Sequence, residues 1–206
     1  MNRDLTTAQK DYAIFLPALS GFFATYIGKQ RHAEYVDKNR VPSNFPNDVE
    51  SMNWLNPQKG LFNYNWTLYS AGHAELDINK HSPKEDMIRN RDRNTSWLLG
   101  DSGGFQIGKG VWEGDWKDPN CPKAMKKRRQ VLAWMDAYMD YGMILDIPAW
   151  VARSKDGIKA TGVSTYQEAV DATRINNDYF MKNRNGNCKF LNVLQGENHT
   201  DAEDWY

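Results

Sequence analysis

Short apolar runs that end in a polar residue recur along this chain. Three of them end at or beside Asp101, Asp146 and Gln195, and the intervals between these residues are 45 and 49 positions. That spacing is typical of parallel βα units, because the crossover between parallel strands needs a dozen or more residues and usually contains a helix. The pattern therefore predicts an α/β fold.

The elements between and before these runs can also be predicted. Apolar residues at helical spacing between positions 131 and 139 predict an amphipathic helix. Ser164 and Gln167 form a capping-box pattern, which predicts a second helix running to about Asn183, with Gly186 as its stop signal. The segments with strand character lie near residues 13–20, 66–71, 96–101, 143–147 and 189–194.

The candidate chemistry lies where these strands end. Polar groups at the carboxyl ends of successive parallel strands form the sites of both α/β barrels and open α/β sheets. The segment Leu98–Gln106 is the most informative, because Asp101 and Ser102 are followed by two glycines that allow a tight turn and close approach of a ligand. Phe105 then supplies a stacking surface. The same residues are also ordinary turn formers, so it is their recurrence at three strand ends that favours a site.

Together these segments resemble the queuine/archaeosine tRNA-guanine transglycosylase superfamily. The resemblance is carried by Asp101–Gln106, the strand end at Asp146 and Val193–Gly196, with weaker likeness at Ile14–Ala18 and Leu68–His73. In that superfamily a (β/α)8 TIM barrel exchanges guanine in nucleic acid for a 7-deazaguanine without cutting the strand. The resemblance implies an α/β fold of TIM-barrel type. It also implies a single domain, residues 1–206, that holds about five of the eight βα units and corresponds to the N-terminal portion.

The resemblance assigns a role to each candidate site residue. Asp101 would be the catalytic acid/base. The substrate-binding set consists of Phe105 for stacking, Asp146, Gln195 and Gly196 for the polar edge of the base, Ser102 and Gly103 for close contacts, and His73 beside the pocket. For His73 a purely structural hydrogen-bonding role is an equal alternative.

The chemistry of these assignments is consistent. A guanine-type edge presents N–H donors, which a carboxylate accepts in strong charge-assisted bonds. Its exocyclic oxygen needs a donor, which the Gln195 amide or the Gly196 backbone N–H can supply. A flipped-out nucleotide would expose that edge, and a carboxylate can stabilise or trap the oxocarbenium-like state of N-glycosidic cleavage.

The chain also departs from the family. There the covalent nucleophile is an aspartate on a later strand, and a Cys/His zinc site lies later still, so it would fall beyond Tyr206. We therefore expect no cofactor within this chain, and a second chain or a C-terminal half that completes the barrel. If the chain acts alone, Asp101 is the default nucleophile. Segments 20–29 and 70–73 resemble the DNA-modifying branch of phages and bacteria, so DNA and a preQ0-like 7-deazaguanine are the expected partners, with tRNA as the alternative.

Composition changes this picture only in part. Lys and Arg together number 26, as do Asp and Glu, so the chain lacks the overall basic charge of many nucleic-acid-binding modules. The basic run 126–129 is interpreted as a solvated helix face or, alternatively, as a phosphate contact. Trp112 and Trp116 are expected to pack a loop, with stacking on unpaired bases as the alternative.

Metal sites and membrane segments are not expected. Cys121 and Cys188 do not form a CxxC pair, and the four histidines lack metal-ligand spacing. There is no apolar run of 18 residues and no signal peptide, so we expect a cytoplasmic protein (host cytoplasm if phage-encoded) that does not contact a membrane.

Two further functions remain open beside base exchange. The chain could be a non-catalytic subunit that binds a 7-deazaguanine or a flipped base and needs a partner chain for catalysis. It could instead be an unrelated α/β hydrolase that cleaves glycosides with paired carboxylates. A carboxylate separation of about 5–9 Å would favour the hydrolase.

Overall fold

The computed structural model describes residues 13–31, 49–196 and 198–206, with the backbone alone for 29–31 and 49. The chain is an α/β structure around a parallel four-stranded sheet, which confirms the predicted α/β class. The strands lie side by side in chain order and are β1 Trp66–Ser70, β2 Trp97–Asp101, β3 Tyr141–Met143 and β4 Lys189–Leu191.

Helices connect and cover these strands. In the described ranges the α-helices are α1 Gly21–Arg31, α2 Asp86–Arg89, α3 Gly104–Gly108, α4 Pro122–Tyr138, α5 Lys155–Thr161, α6 Tyr166–Asn183 and α7 His199–Trp205. Short 3-10 helices span Val49–Met52, Pro83–Glu85 and Ala149–Arg153. Among the helices that the structure describes, none has both the length and the apolar character that a membrane span requires.

The predicted first strand, 13–20, is reduced to one parallel bridge between Ala18 and Leu68. The N–H of Leu19 donates to the Leu68 carbonyl at 2.8 Å, and the Leu68 N–H donates to the Pro17 carbonyl at 3.0 Å. The next rung would need an N–H at position 17, which proline lacks. Pro17 therefore limits the pairing of this segment with β1.

The third strand ends earlier than the sequence predicts. The predicted strand continued to Ile147. The Ile144 N–H still donates to the Leu191 carbonyl at 3.0 Å, but from residue 145 onward helix α6 takes over backbone bonds that a sheet neighbour would otherwise make. The Leu145 carbonyl accepts from the Asn176 side chain at 2.7 Å, and the Ile147 N–H donates to the Thr173 hydroxyl at 2.9 Å. The segment that carries Asp146 is therefore held by a helix. The predicted strand 189–194 is likewise shorter than expected, ending at residue 191.

The helix predictions are partly confirmed. The apolar stripe at 131–139 lies at the end of α4, and α6 ends at Asn183 as predicted. The predicted cap of α6 is wrong by one residue. Thr165 is the N-cap and accepts from the Glu168 N–H at 3.1 Å, while the Glu168 carboxylate accepts from the Ser164 N–H at 2.7 Å.

Two glycines let α4 pack directly on the sheet. Gly100 and Gly142 are register partners in the middle strands. A Cβ on Gly100 would lie 2.8 Å from Cγ of Met139, and a Cβ on Gly142 would lie 2.8 Å from Sδ of Met135. Both methionines are fully buried, so the core lies between this face of the sheet and α4.

An aromatic row lies on the other face of the sheet, toward the amino ends of the strands. Trp66 and Trp97 are register partners, and their rings stack with centroids 5.3 Å apart and planes 12° apart. Tyr141 continues the row with its ring centroid 6.4 Å from that of Trp97, and the Lys189 ammonium lies 5.9 Å from the Tyr141 centroid. This row ties together the strand ends remote from Asp101.

Both interpretations of the basic run 126–129 are wrong for Arg128, which is fully buried. Its guanidinium donates to Oδ1 of Asn176 at 2.7 Å. It also donates to the carbonyls of Trp116, Pro119 and Asp118 at 3.0, 3.3 and 3.4 Å. Arg128 is thus neither solvated nor available to phosphate, because helix α4 begins at position 122 and turns this residue toward the core.

The loop tryptophans are also part of the core. Trp116 is fully buried and Trp112 nearly so, which confirms the expected packing role and leaves neither ring exposed to stack on a base. The Lys127 ammonium lies 4.8 Å from the centroid of the Trp112 ring. The loop after α3 is therefore anchored on α4 through these rings.

We expect Arg128→Met to lower the free energy of unfolding by about 3 kcal/mol, because the oxygens that accept from the guanidinium would lose a buried donor. Urea unfolding followed by circular dichroism measures this loss. Arg129→Met, at the exposed neighbour, is the matched control and should change stability by less than about 0.5 kcal/mol. Equal stability of the two variants would contradict the role assigned to Arg128.

Candidate functional site

The segments after β2, β3 and β4 meet around the carboxylate of Asp146. Oγ of Ser102 donates to Oδ1 of Asp146 at 3.3 Å, and Nε2 of Gln195 donates to Oδ2. Asp101, at the end of β2, lies near enough for its charge to act on Asp146. The structure therefore brings together four of the residues singled out from the sequence.

The Gln195 amide has a fixed orientation. Its Oε1 accepts from the backbone N–H of Ala149 at 2.8 Å, and a backbone N–H can only donate. The amide nitrogen must therefore face Asp146, to which it gives one of its two hydrogens. Among the described residues, no acceptor takes the other hydrogen, so it can be donated to a ligand.

Asp146 is an unusually weak acid for an aspartate. Burial raises its pKa from 3.8 to about 6, and the nearby charge of Asp101 acts in the same direction. Hydrogen bonds from its own backbone and from Ser102 and Gln195 stabilise the charged form and limit the rise. A carboxyl group with this pKa changes its charge within the physiological pH range.

The two glycines after Ser102 are both required by their surroundings. Gly103 has φ of +83°, and a Cβ there would lie 2.7 Å from the Trp112 ring. A Cβ on Gly104 would lie 2.7 Å from Oδ1 of Asp146. The first glycine therefore allows the turn into α3, and the second lets the backbone reach the carboxylate.

Two aromatic rings lie at the rim of this group. Phe105, the predicted stacking ring, is 60% exposed, and Trp150 is 38% exposed. Their centroids are 6.1 Å apart and their planes are inclined by 56°. Trp150 is not among the site residues predicted from the sequence, although its position four residues after Asp146 was an available signal.

Two predicted site residues lie apart from the Asp146 group. His73 is exposed in the turn after β1, and in the described part of the chain its side chain forms no hydrogen bond or ion pair. Gly196 has φ of +140°, and a Cβ there would lie 2.5 Å from Cβ of Asp201. The structure thus places Gly196 against α7 and shows no contact between His73 and Asp146.

Gln106, which is not among the site residues predicted from the sequence, adds a side-chain oxygen that can accept a hydrogen bond. Its amide lies over Gly72, where a Cβ would come within 2.3 Å of Cδ, and near Gly103. Among the described residues, nothing donates to its buried Oε1. This buried oxygen of Gln106 lies beside the turns after β1 and β2, and no described group donates to it.

The described residues contain no group of three or more His, Cys, Asp or Glu side chains arranged to hold a metal ion. Cys121 and Cys188 are free thiols, and burial raises the pKa of Cys188. The chemistry available at the site is therefore that of carboxylates, an amide, a hydroxyl and two aromatic rings.

Comparisons with protein-family models, with curated proteins and with solved structures give no match to this chain. The resemblance to the transglycosylase superfamily therefore depends on the residues described above and stays a hypothesis.

We expect the raised pKa of Asp146 to be visible in the pH dependence of the free energy of unfolding. Because folding raises its pKa, the stability contributed by the neutral carboxyl group is present below pH 3.8 and is lost as pH rises to about 6. The free energy of unfolding of Asp146→Asn, taken relative to that of the native chain, should therefore rise by about 2 kcal/mol as pH increases from 4 to 7. Denaturant unfolding at several pH values measures this difference.

Asp178→Asn, at an exposed position on α6, is the matched control for the loss of one carboxylate. A native chain and an Asp146→Asn variant that differ by a constant amount across this range would show that Asp146 keeps an ordinary acidity.

Proposed function

We propose that this chain is a nucleic-acid guanine transglycosylase that exchanges guanine in DNA for a 7-deazaguanine base. One arrangement carries the proposal. The carboxylate of Asp146 is held by Ser102 and Gln195 beside Asp101, at the carboxyl edge of a parallel sheet. Parallel α/β folds bind their ligands at this edge.

The Asp146 group matches the polar edge of guanine. At neutral pH a carboxyl group with a pKa of about 6 is mostly ionised, so it can accept the ring N–H and the exocyclic amino group of the base. The remaining amide hydrogen of Gln195 can be donated to the exocyclic oxygen. Phe105, exposed beside this group, offers a face for the flat ring.

Asp101 is the group proposed to act on the sugar. When the bond between C1′ and the base nitrogen breaks, the base leaves with the electron pair and takes up a proton from water. The Asp101 carboxylate stabilises the developing positive charge on the sugar or forms an ester with C1′. The nitrogen of the incoming 7-deazaguanine then loses its proton to water and attacks C1′, which releases the carboxylate and leaves the strand uncut.

The fold is proposed to be part of a (β/α)8 barrel. Its strands follow each other in chain order, and the Ala18 bridge precedes β1 in the same direction. Among the described residues β4 has no neighbour on its far side. Further strands, from a second chain or a C-terminal half, would be placed there, and they would be the source of a separate nucleophile.

The direct test is exchange of a labelled base. We expect the chain to release radiolabelled guanine from DNA when a 7-deazaguanine base is added, and we expect Asp101→Asn to reduce this release by at least 100-fold, as loss of a nucleophile or acid–base group does. Asp204→Asn, at an exposed carboxylate on α7, is the matched control. Labelled tRNA is assayed in parallel.

The outcomes separate the alternatives. Release of guanine from tRNA but not from DNA would mean that tRNA is the substrate. A chain that binds the 7-deazaguanine but releases no guanine from either polymer would be a binding subunit. Cleavage of a chromogenic glycoside without base exchange would favour the paired-carboxylate hydrolase.

Base binding should also depend on pH. Because only the ionised carboxylate accepts two N–H groups, affinity for the free 7-deazaguanine should rise about tenfold as pH increases from 5 to 7. Asp146→Asn should bind more weakly and without this dependence. Isothermal titration calorimetry measures both, and a pH-independent affinity of the native chain would argue against Asp146 as the base-reading group.

A further inference from the structure

We propose that Trp150 and Lys109 dock the nucleotide that neighbours the reacting one, while Phe105 stacks on the reacting base. Trp150 stacks on the neighbouring base, and Lys109 binds the phosphate between the two nucleotides. This inference rests on the proposed function, because it takes a nucleic-acid strand as the ligand of the site.

The position of the two rings relative to Asp146 supports this role. Phe105 follows Gly104, whose Cα hydrogen faces Oδ1 of Asp146 so closely that a Cβ would lie 2.7 Å away. Trp150 follows Ala149, whose N–H holds the Gln195 amide. Each ring therefore belongs to the residue that directly follows one in contact with Asp146 or Gln195.

The shape of the pair suits two ligand groups. With centroids 6.1 Å apart and planes inclined by 56°, the two partly exposed rings form a corner, so each ring can contact a different base. Helix α3 supports Trp150 from behind, because a Cβ on Gly108 would lie 2.5 Å from the indole ring. Trp150 is also 38% exposed, and a flat ring that is supported by a helix and partly exposed can serve as a stacking platform.

Lys109 adds the charge that an anionic strand needs here. Its Nζ lies 5.5 Å from the Phe105 centroid and 5.4 Å from the Trp150 centroid. In the ranges that the structure describes, Lys109 has no acidic side chain within ion-pair distance. A phosphate approaching Asp101 and Asp146 meets two carboxylates, and an ammonium beside the rings offsets that repulsion.

The combination of these features decides the kind of ligand. Aromatic faces with an adjacent cation are the elements by which proteins hold single-stranded or flipped nucleotides. A free base has no phosphate, so Lys109 would have no role in binding it. Docking of a strand and binding of a free base can therefore be separated by experiment.

The test measures both ligands on the same variants. Fluorescence anisotropy follows a labelled five-nucleotide DNA with a central guanine, and calorimetry follows free 7-deazaguanine. Trp150→Ala and Lys109→Ala should each weaken oligonucleotide binding about tenfold, since the first removes a stacking contact and the second a phosphate contact. Both should leave affinity for the free base within about twofold. Lys109→Ala should also reduce the salt slope of oligonucleotide binding by about one.

Matched variants control for indirect effects. Trp150→Phe should retain most of the affinity, because it keeps a stacking face. Lys182→Ala and Tyr206→Ala, at exposed positions on α6 and at the end of the chain, should leave oligonucleotide binding unchanged. Circular dichroism melts establish that each variant is folded.

The results distinguish failure of this inference from failure of the proposed function. Unchanged oligonucleotide affinity in Trp150→Ala and Lys109→Ala overturns the docking role and leaves base exchange standing. Loss of free-base affinity in Trp150→Ala, as large as the loss for the strand, would move Trp150 into the base pocket and also overturn the docking role. A native chain that binds neither ligand would overturn both proposals.

Discussion

A chain of hydrogen bonds through a buried arginine sets the position of the candidate site. Arg128 donates to Asn176, and the Asn176 amide donates to the carbonyl of Leu145, the residue before Asp146. Thr173 holds the N–H on the other side of Asp146. Two helices therefore determine where the carboxylate lies after β3 has ended, and the core and the site share the same hydrogen bonds.

Asp146 in turn connects parts of the chain that are distant in sequence. It accepts from Ser102 after β2 and from Gln195 after β4, while Gln195 also accepts from the Ala149 N–H. Burying an ionised carboxylate costs free energy, and hydrogen bonds to it offset part of that cost. Because the offset is incomplete, the pKa of Asp146 stays above its usual value. A group held in this way is ready to receive donors from a ligand with little rearrangement.

Much of this arrangement could be predicted from local patterns, and the failures have physical causes. The apolar runs ending at Asp101, Asp146 and Gln195 correctly indicated a parallel α/β sheet. The early end of β3 depends on Thr173 and Asn176, polar residues in a helix whose partners lie far along the chain, so no local pattern could show it.

The burial of Arg128 had a signal that the charge of its neighbours concealed. Ala124, Arg128, Val131 and Met135 follow each other at helical spacing, and all four are buried. This helical stripe predicts that Arg128 lies in the core. The run of four basic residues, 126–129, instead predicts that Arg128 lies on the surface, and the structure contradicts that interpretation.

The stacked Trp66 and Trp97 rings give the sheet an optical property of its own. Two nearly parallel indoles with centroids 5.3 Å apart couple their electronic transitions, so the pair produces an exciton signal in circular dichroism that isolated tryptophans lack. Because the stack exists only while β1 and β2 keep their register, this signal reports the assembly of the sheet without any ligand or activity.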